Sequence, residues 1–186
     1  MEVMTPLLTA FLLTSQEGTM PRLPAKSAED VVALLEQART RGLVKTARKS
    51  RPVDARPAKP GEIVVTVIKG EKETQSKPAQ AGDWVVRNRC PETGNEQYLV
   101  SAKTFAERYK KDGAAGADGW QEFRPLGKKM RFLIVTPDHG SFTFKAPWGE
   151  QMIAHPGDAL VQDPDDEKDT YRVEKAAFAC TYEVVN

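Results

Sequence analysis

The residues best suited to acid–base or nucleophilic chemistry are few and isolated. His139 and His155 are the only histidines; the first lies in the turn sequence "PDHG" and the second directly precedes Pro156. A catalytic histidine needs a serine or cysteine nucleophile in a recognisable context, and neither histidine has one. We therefore predict that both are surface histidines, that the chain holds no catalytic residue and that a hydrolase is disfavoured.

Two aspartates recur in matching contexts. Asp83 and Asp158 each follow a glycine and precede an apolar run. Two carboxylates could share acid–base work, but an aspartate that accepts bonds from nearby backbone amides explains the recurrence without chemistry. The structural role, turn formation, is the prediction.

No metal or cofactor motif is present. The acidic run "DPDDEKD" over 163–169 lacks the glycine and the closing glutamate of a calcium loop and is predicted to be a solvated hairpin tip. Cys90 and Cys180 lack the spacing of a metal site and are too few for a disulfide framework. These patterns predict no metal, no cofactor and a reducing, cytoplasmic environment.

Aromatic residues next to arginines form the candidate ligand-binding set. A stacking ring beside a guanidinium suits a nucleotide or single-stranded nucleic acid. The alternative is that the tryptophans fill the core and the arginines protect edge strands. The set consists of Trp84, Arg87, Arg89, Trp120, Arg124, Trp148 and His155.

The composition is that of a globular protein without a dominant charge. The chain has 186 residues, 27 basic and 26 acidic side chains, and a net charge of +1, so no global field favours nucleic acid. The apolar run "LLTAFLL" over 7–13 is too short to cross a bilayer and lacks signal-peptide flanks. No membrane association is expected; the run is predicted to be a buried element or an extension before a start at Met20.

Several segments have clear local patterns. Ser27 is the predicted cap of a helix over 28–41, whose apolar stripe contains Val31, Leu34, Leu35 and Ala38. The proline-containing segment 44–62 is predicted to be an extended linker or edge segment. The strands are predicted at "IVVTVI", "MRFLIVTP" and "SFTFKA".

An internal repeat sets the predicted architecture. When Gly82 and Asp83 are aligned on Gly157 and Asp158, four later anchors have the same spacing in both copies: Tyr98, Val100, Phe105 and Tyr109 match Tyr171, Val173, Phe178 and Tyr182. Each copy indicates a turn, a strand, a polar tip, a returning strand and a short helix.

The predicted fold class is therefore α+β. We expect two tandem small strand-rich antiparallel units, open-barrel or roll-like, each closed by a short helix, plus an N-terminal helix. The predicted divisions are an N-terminal extension, a helix, a first repeat domain, a Gly/Ala linker and a second repeat domain, at 1–26, 27–44, 45–112, 113–119 and 120–186.

These anchors resemble the PGDYG-motif family of small phage and prophage proteins. The second copy reads "PGDAL" and the first "AGDWV", with "ARKSRPVDAR", "YLVSAKTFAERY" and "PWGEQM" as further points of likeness. The resemblance implies a small strand-rich fold and supplies no catalytic residue.

Two functions follow as hypotheses. The first is a non-catalytic binding or assembly module of phage type, whose paired units recognise a protein partner or self-associate through "LLTAFLL" and the helix stripe. The second is a small-ligand protein that binds or sequesters a nucleotide between the copies.

Overall fold

The computed structural model describes residues 29–185, and over this range the protein is a strand-rich α+β fold with three α-helices and antiparallel sheets, as the sequence predicts. The helices are α1 Val31–Thr40, α2 Ala102–Arg108 and α3 Lys175–Thr181. The strands are β1 Lys45–Lys49, β2 Val53–Pro57, β3 Val65–Ile68, β4 Glu71–Gln75, β5 Trp84–Asn88, β6 Gln97–Val100, β7 Tyr109–Ala115, β8 Gln121–Pro125, β9 Lys129–Ile134, β10 Phe142–Lys145, β11 Gln151–Ala154, β12 Ala159–Asp163, β13 Asp166–Val173 and β14 Tyr182–Val185.

Helix α1 confirms the predicted N-terminal helix. Its cap is Asp30, whose carboxylate accepts from the amides of Val32 and Ala33 at 3.0 and 3.1 Å. Ser27, the predicted cap, lies outside the described residues, as does "LLTAFLL". The apolar stripe is buried against strands β9 to β12, in a cluster of Val31, Leu35, Ala38, Leu133, Val135, Phe142, Phe144, Ala146, Met152, Ala154 and Leu160. This stripe is part of the core, so it does not provide the predicted surface for self-association.

Two five-stranded antiparallel sheets form the body of the protein. The strand order is β6-β5-β2-β8-β7 in the first sheet and β13-β12-β9-β1-β14 in the second. Each sheet is accompanied by a two-stranded hairpin, β3-β4 or β10-β11. The strands β3, β5, β9 and β10 form where β-branched and aromatic residues predict them; the inner strand β12 is buried throughout, and β5 is buried at three of its five residues.

The two sheets exchange strands. Strand β1 pairs with β9 and β14 of the second sheet, although β2, which follows it in the chain, lies in the first. Strand β8 pairs with β2 and β7 of the first sheet, although β9 lies in the second. Neither sheet is therefore contained in one of the predicted ranges 45–112 and 120–186. The first strand of the range 45–112, β1, belongs to the second sheet, and the first strand of the range 120–186, β8, belongs to the first sheet.

The predicted linkers are parts of the sheets. Within segment 44–62, Ala47, Val53 and Ala55 are at most 1% exposed, so β1 and β2 are interior strands. The prolines of this segment stand at or beyond the strand ends, where the missing N–H does not interrupt pairing. The Gly/Ala segment 113–119 continues β7 as far as Ala115 and then turns into β8. Strand β7 is an edge strand of the first sheet and mostly exposed, so glycine and alanine can occupy it without burying a large side chain. A Gly/Ala-rich segment has no β-branched or aromatic pattern that would predict a strand.

The recurring aspartates have the predicted structural role. Asp83 accepts from the amides of Gln80 and Ala102 at 2.8 and 3.1 Å, which ties the turn before β5 to the start of α2. Asp158 makes the same two bonds, to the amides of His155 and Lys175, at 2.8 and 3.1 Å. Each carboxylate is buried and closes its unit by hydrogen bonds to backbone.

The cysteines form a disulfide, contrary to the prediction. Cys90 follows β5 and Cys180 lies in the last turn of α3; their Cα atoms are 6.1 Å apart across a sequence separation of 90 residues. The two cysteines come together because α3 packs against the loop after β5, and no spacing motif in the sequence predicts such a long-range pair. This bond removes the reason for predicting a reducing compartment. Among the described helices, none combines the length and apolar character needed to cross a membrane.

Candidate functional site in the cavity between the sheets

A cavity of about 730 Å³ lies where the two sheets and the β3-β4 hairpin meet. All four tyrosines of the chain line it. Its apolar wall includes Val64, Ile68, Met130, Trp148 and Met152. Its charged and polar wall includes Lys49, Glu73, Asn88, Glu96, Arg108, Lys128, Asp169, Arg172 and Glu174.

The tyrosines form two hydroxyl pairs. The hydroxyls of Tyr98 and Tyr109 lie 3.2 Å apart, as do those of Tyr171 and Tyr182. In each pair the first tyrosine comes from the returning strand and the second follows the short helix. Burial raises the pKa of Tyr109 to about 12 and raises the pKa values of the other three as well. All four are therefore neutral phenols near pH 7, able to donate and accept hydrogen bonds.

Lys49 at the end of β1 brings an amine into this cavity. Its Nζ donates to Asn88 Oδ1 at 2.7 Å and to the hydroxyl of Tyr98. Both partners are uncharged, and among the described residues no carboxylate forms an ion pair with it. Glu96 reaches Lys49 only through Asn88, whose Nδ2 donates to Glu96 Oε1 at 2.6 Å.

Burial lowers the pKa of Lys49 to about 7, and Arg108 acts in the same direction while Glu96 opposes it. The amine is thus divided between its charged and neutral forms near pH 7. Lys49 thus differs from Arg108, Lys128 and Arg172, the cavity cations that form ion pairs with carboxylates.

Arg108, at the end of α2, is by contrast fully paired. Its Nη2 contacts Asp169 at 2.6 Å and Asp163 at 3.1 Å. Burial alone would lower its pKa, but Tyr171 and Asp169 raise it. Lys128 also donates to Asp163, at 2.7 Å. Asp163 is therefore a buried acceptor, whereas residues 165–168 of the run 163–169 are exposed at the turn between β12 and β13, as predicted for a solvated hairpin tip.

A second buried ion pair joins the β3-β4 hairpin to the second sheet. Arg172 of β13 donates to Glu73 of β4 at 2.8 Å and to Asp158 at 2.6 Å. Burial raises the pKa of Glu73 to about 7, although Arg172 opposes this shift. The hairpin is thus held as one wall of the cavity by a charged contact.

The predicted ligand set does not assemble into one site. The carboxylate of Asp54 pairs with Arg87 at 3.0 Å and with Arg89 at 2.7 Å. Arg124 pairs with Asp112 at 2.7 Å. These arginines are therefore engaged in ion pairs on their own sheet and do not line the cavity.

The aromatic members of that set also have separate places. Trp84 stacks on Phe105, with ring centroids 4.4 Å apart and planes inclined by 7°; it belongs to the core of the first sheet. The guanidinium carbon of Arg87 lies 4.3 Å from the ring centroid of Trp120, in a cation–π contact. Both arrangements match the alternative in which these residues serve the fold.

Two members remain. Trp148 lines the cavity and its Nε1 donates to Thr74 Oγ1 at 3.4 Å. His155 bonds through Nδ1 to the hydroxyl of Ser141 at 2.9 Å, outside the cavity wall. Of the seven predicted site residues, Trp148 alone lines the cavity.

Sequence reasoning missed the tyrosines and Lys49 as site residues. The tyrosines were recognised as anchors of the repeat, and their shared position in both copies could have indicated one common chamber. Lys49 lies in a basic segment with several similar residues, and no sequence signal distinguishes it from them.

Comparisons with protein-family models, with curated proteins and with solved structures found no match. The resemblance to the PGDYG-motif family therefore stays a prediction.

Proposed function

We propose that this protein is a non-catalytic binding protein that holds a small anionic ligand in the cavity between its two sheets. The observation that carries the proposal is the amine of Lys49, which lies in a cavity of about 730 Å³ and has no carboxylate partner within residues 29–185. Cavities of this size are typical of sites for small organic ligands. The second hypothesis from the sequence, a ligand between the copies, is thus the one that the geometry favours.

The energetics of Lys49 support an anionic group on the ligand. Lys49 is half-buried, and desolvation of its ammonium without a paired carboxylate lowers its pKa to about 7. A ligand carboxylate or phosphate beside it would offset this cost and raise the pKa again. The four tyrosine hydroxyls offer further donors and acceptors, and the apolar wall accommodates a hydrocarbon or ring portion.

The chain architecture supports a site at the junction of two tandem units. The two sheets have corresponding strand orders and each contains one strand lent by the other half. We infer a duplicated unit, as the sequence repeat predicts. The cavity then forms only when both units are present, because its walls come from both.

The position of Lys49 supports a role beyond folding. In the second sheet Lys49 pairs with Tyr182, and at the corresponding place in the first sheet Pro125 pairs with Tyr109. The tyrosines are common to both units and are explained by the shared fold. The lysine is present once, so the duplication does not account for it.

A thermal-shift screen tests this proposal. Nucleotides, cyclic dinucleotides, sugar phosphates and dicarboxylates should be compared on the wild type, on Lys49→Met and on the control Lys45→Met, which removes an exposed lysine of the same strand. A ligand at about 100 times its Kd stabilises by about 2.7 kcal/mol. We expect stabilisation that Lys49→Met abolishes and Lys45→Met retains. Equal shifts in all three proteins would contradict the proposed site.

A protein partner is the second candidate, and one surface favours it. Ile63, Val65 and Val67 alternate along one exposed face of the β3 segment, with 52%, 45% and 41% exposure. Adjacent apolar side chains on such a face are typical of association surfaces. Val65→Lys should shift a self-associating protein to monomer in light-scattering measurements. A wild type that is already monomeric, with no partner retained from its host lysate, would exclude this role.

A further inference from the structure

We propose that Lys49 captures its ligand covalently, by forming an imine with a carbonyl group on a small anionic aldehyde or 2-oxo acid. The inference deepens the proposed function, on which it rests, by naming the class of ligand. In this proposal the ligand's carbonyl carbon lies next to Nζ of Lys49, and the ligand's own carboxylate lies in the same cavity.

The hydrogen bonds of Lys49 leave the amine available for attack. Two of its positions are used as donors, to Asn88 Oδ1 at 2.7 Å and to the hydroxyl of Tyr98. The third has no hydrogen-bond partner among the described residues, although Nζ also lies 4.9 Å from the ring centroid of Tyr98 and 6.0 Å from that of Tyr109. In the neutral amine, two N–H groups can keep these bonds while the lone pair occupies the third position.

The surroundings favour the neutral form. Groups that face Lys49 are Asn88 of β5, Tyr98 of β6, Tyr109 of β7 and, by their fields, Glu96 and Arg108. The carboxylate of Glu96 favours the charged amine, whereas desolvation and the guanidinium of Arg108 favour the neutral one and together lower the pKa. Lysines that react with carbonyl groups are commonly desolvated or placed near another cation in this way.

The proposed step balances without an added oxidant or reductant. The nitrogen lone pair attacks the carbonyl carbon, a C–N bond forms as the C=O π bond breaks, and one proton passes from the nitrogen to the oxygen to give a neutral carbinolamine. A second proton, taken from solvent, converts the hydroxyl into water, which leaves as the nitrogen lone pair forms the C=N bond of the protonated imine. The linked hydroxyls of Tyr98 and Tyr109, 3.2 Å apart, provide a hydrogen-bonded path for these protons.

The same step explains why the ligand should carry an acid group. A protonated imine places a positive charge where desolvation disfavours one. A carboxylate on the ligand neutralises this charge inside the cavity. A neutral aldehyde lacks that compensation and should react less.

Reductive trapping with glyoxylate tests the inference. The full chain is incubated with glyoxylate and cyanoborohydride at pH 7, and carboxymethylated lysines are located by peptide mass spectrometry. With a pKa of about 7 for Lys49, its neutral fraction exceeds that of an ordinary lysine by about a thousandfold. Lower basicity and restricted access reduce this advantage, so we expect Lys49 to react about tenfold faster than exposed Lys45 and Lys110, or more.

Two controls separate the possible outcomes. Propanal, which lacks the acid group, should show little preference for Lys49, and Asn88→Ala should slow the trapping by releasing the amine from its position. Trapping of Lys49 at the rate of the exposed lysines, or not at all, would overturn the covalent step. The proposed function would survive that result if anions without a carbonyl still stabilise the wild type and Lys45→Met but not Lys49→Met.

Discussion

The disulfide allows the most quantitative prediction. Cys90 and Cys180 close a loop with a sequence separation of 90 residues. In the chain-entropy model, cross-linking a loop of this length reduces the entropy of the unfolded chain by an amount worth about 4 to 5 kcal/mol at 25 °C. Opening the bond should lower the free energy of unfolding by about that amount.

The contribution of the disulfide to stability can be measured by reducing it and by replacing both cysteines. The wild type is unfolded in urea with and without a reductant, and the double variant Cys90→Ala/Cys180→Ala serves as the control. A protein of this size shifts its Tm by about 2 to 4 °C per kcal/mol, so reduction should lower the Tm by about 10 °C or more. The double variant should be as unstable as the reduced protein and insensitive to the reductant.

The same bond should also influence the cavity. Cys90 O accepts from Thr93 Oγ1 at 3.0 Å, and Thr93 in turn contacts Glu96, which is bonded to Asn88 beside Lys49. Ligand affinity should therefore fall in the reduced protein. Two free thiols in protein purified without reductant, or equal stability in both redox states, would refute the reasoning.

Three further predictions concern single residues. Because the pKa of Lys49 is lowered to about 7 in the folded protein, the unfolded state binds more protons between about pH 7 and 10.5, and the free energy of unfolding of the wild type rises with pH over this range. Lys49→Met removes the destabilising charge, so its Tm should exceed that of the wild type by more at pH 6 than at pH 9. A Tm difference that does not depend on pH would contradict the lowered pKa. Trp84→Ala should cost about 3 kcal/mol in urea unfolding because it removes a ring stacked on Phe105, whereas Trp120→Ala should cost about 1 kcal/mol or less; similar losses would exclude the core role of Trp84. Asp83→Ala should destabilise by about 2 kcal/mol through the loss of two bonds to backbone amides, and an unchanged urea midpoint would show that these bonds contribute nothing.

Local patterns predicted most of the secondary structure. The Gly-Asp turns, the strands after them and the short helices follow from turn chemistry and apolar spacing, which act over a few residues. The helix stripe at Val31, Leu35 and Ala38 was recognisable for the same reason. The strands β7 and β14 were missed because the tyrosine that closes each helix pattern begins a strand instead.

Long-range features escaped prediction for a physical reason. The exchange of β1 and β8 depends on which sheet edge each strand meets, and their own sequences carry no record of this. The pairing of Cys90 with Cys180 and the burial of Lys49 depend on the same packing. Conversely, the sequence predicts Arg87 and Arg89 as ligand-binding residues, because their partner Asp54 lies more than 30 positions away and no local pattern reveals the pairing.

The most direct test of the proposed site is the titration of the Lys49 amine by NMR of a selectively labelled protein, using Lys49→Met to assign the signal. The amine is expected to titrate with a pKa of about 7 in the free protein. It should move back towards the usual lysine value of about 10.4 when a stabilising anion from the screen is added. A pKa near 10.4 in the free protein, unchanged by any such anion, would contradict an uncompensated amine that awaits a ligand.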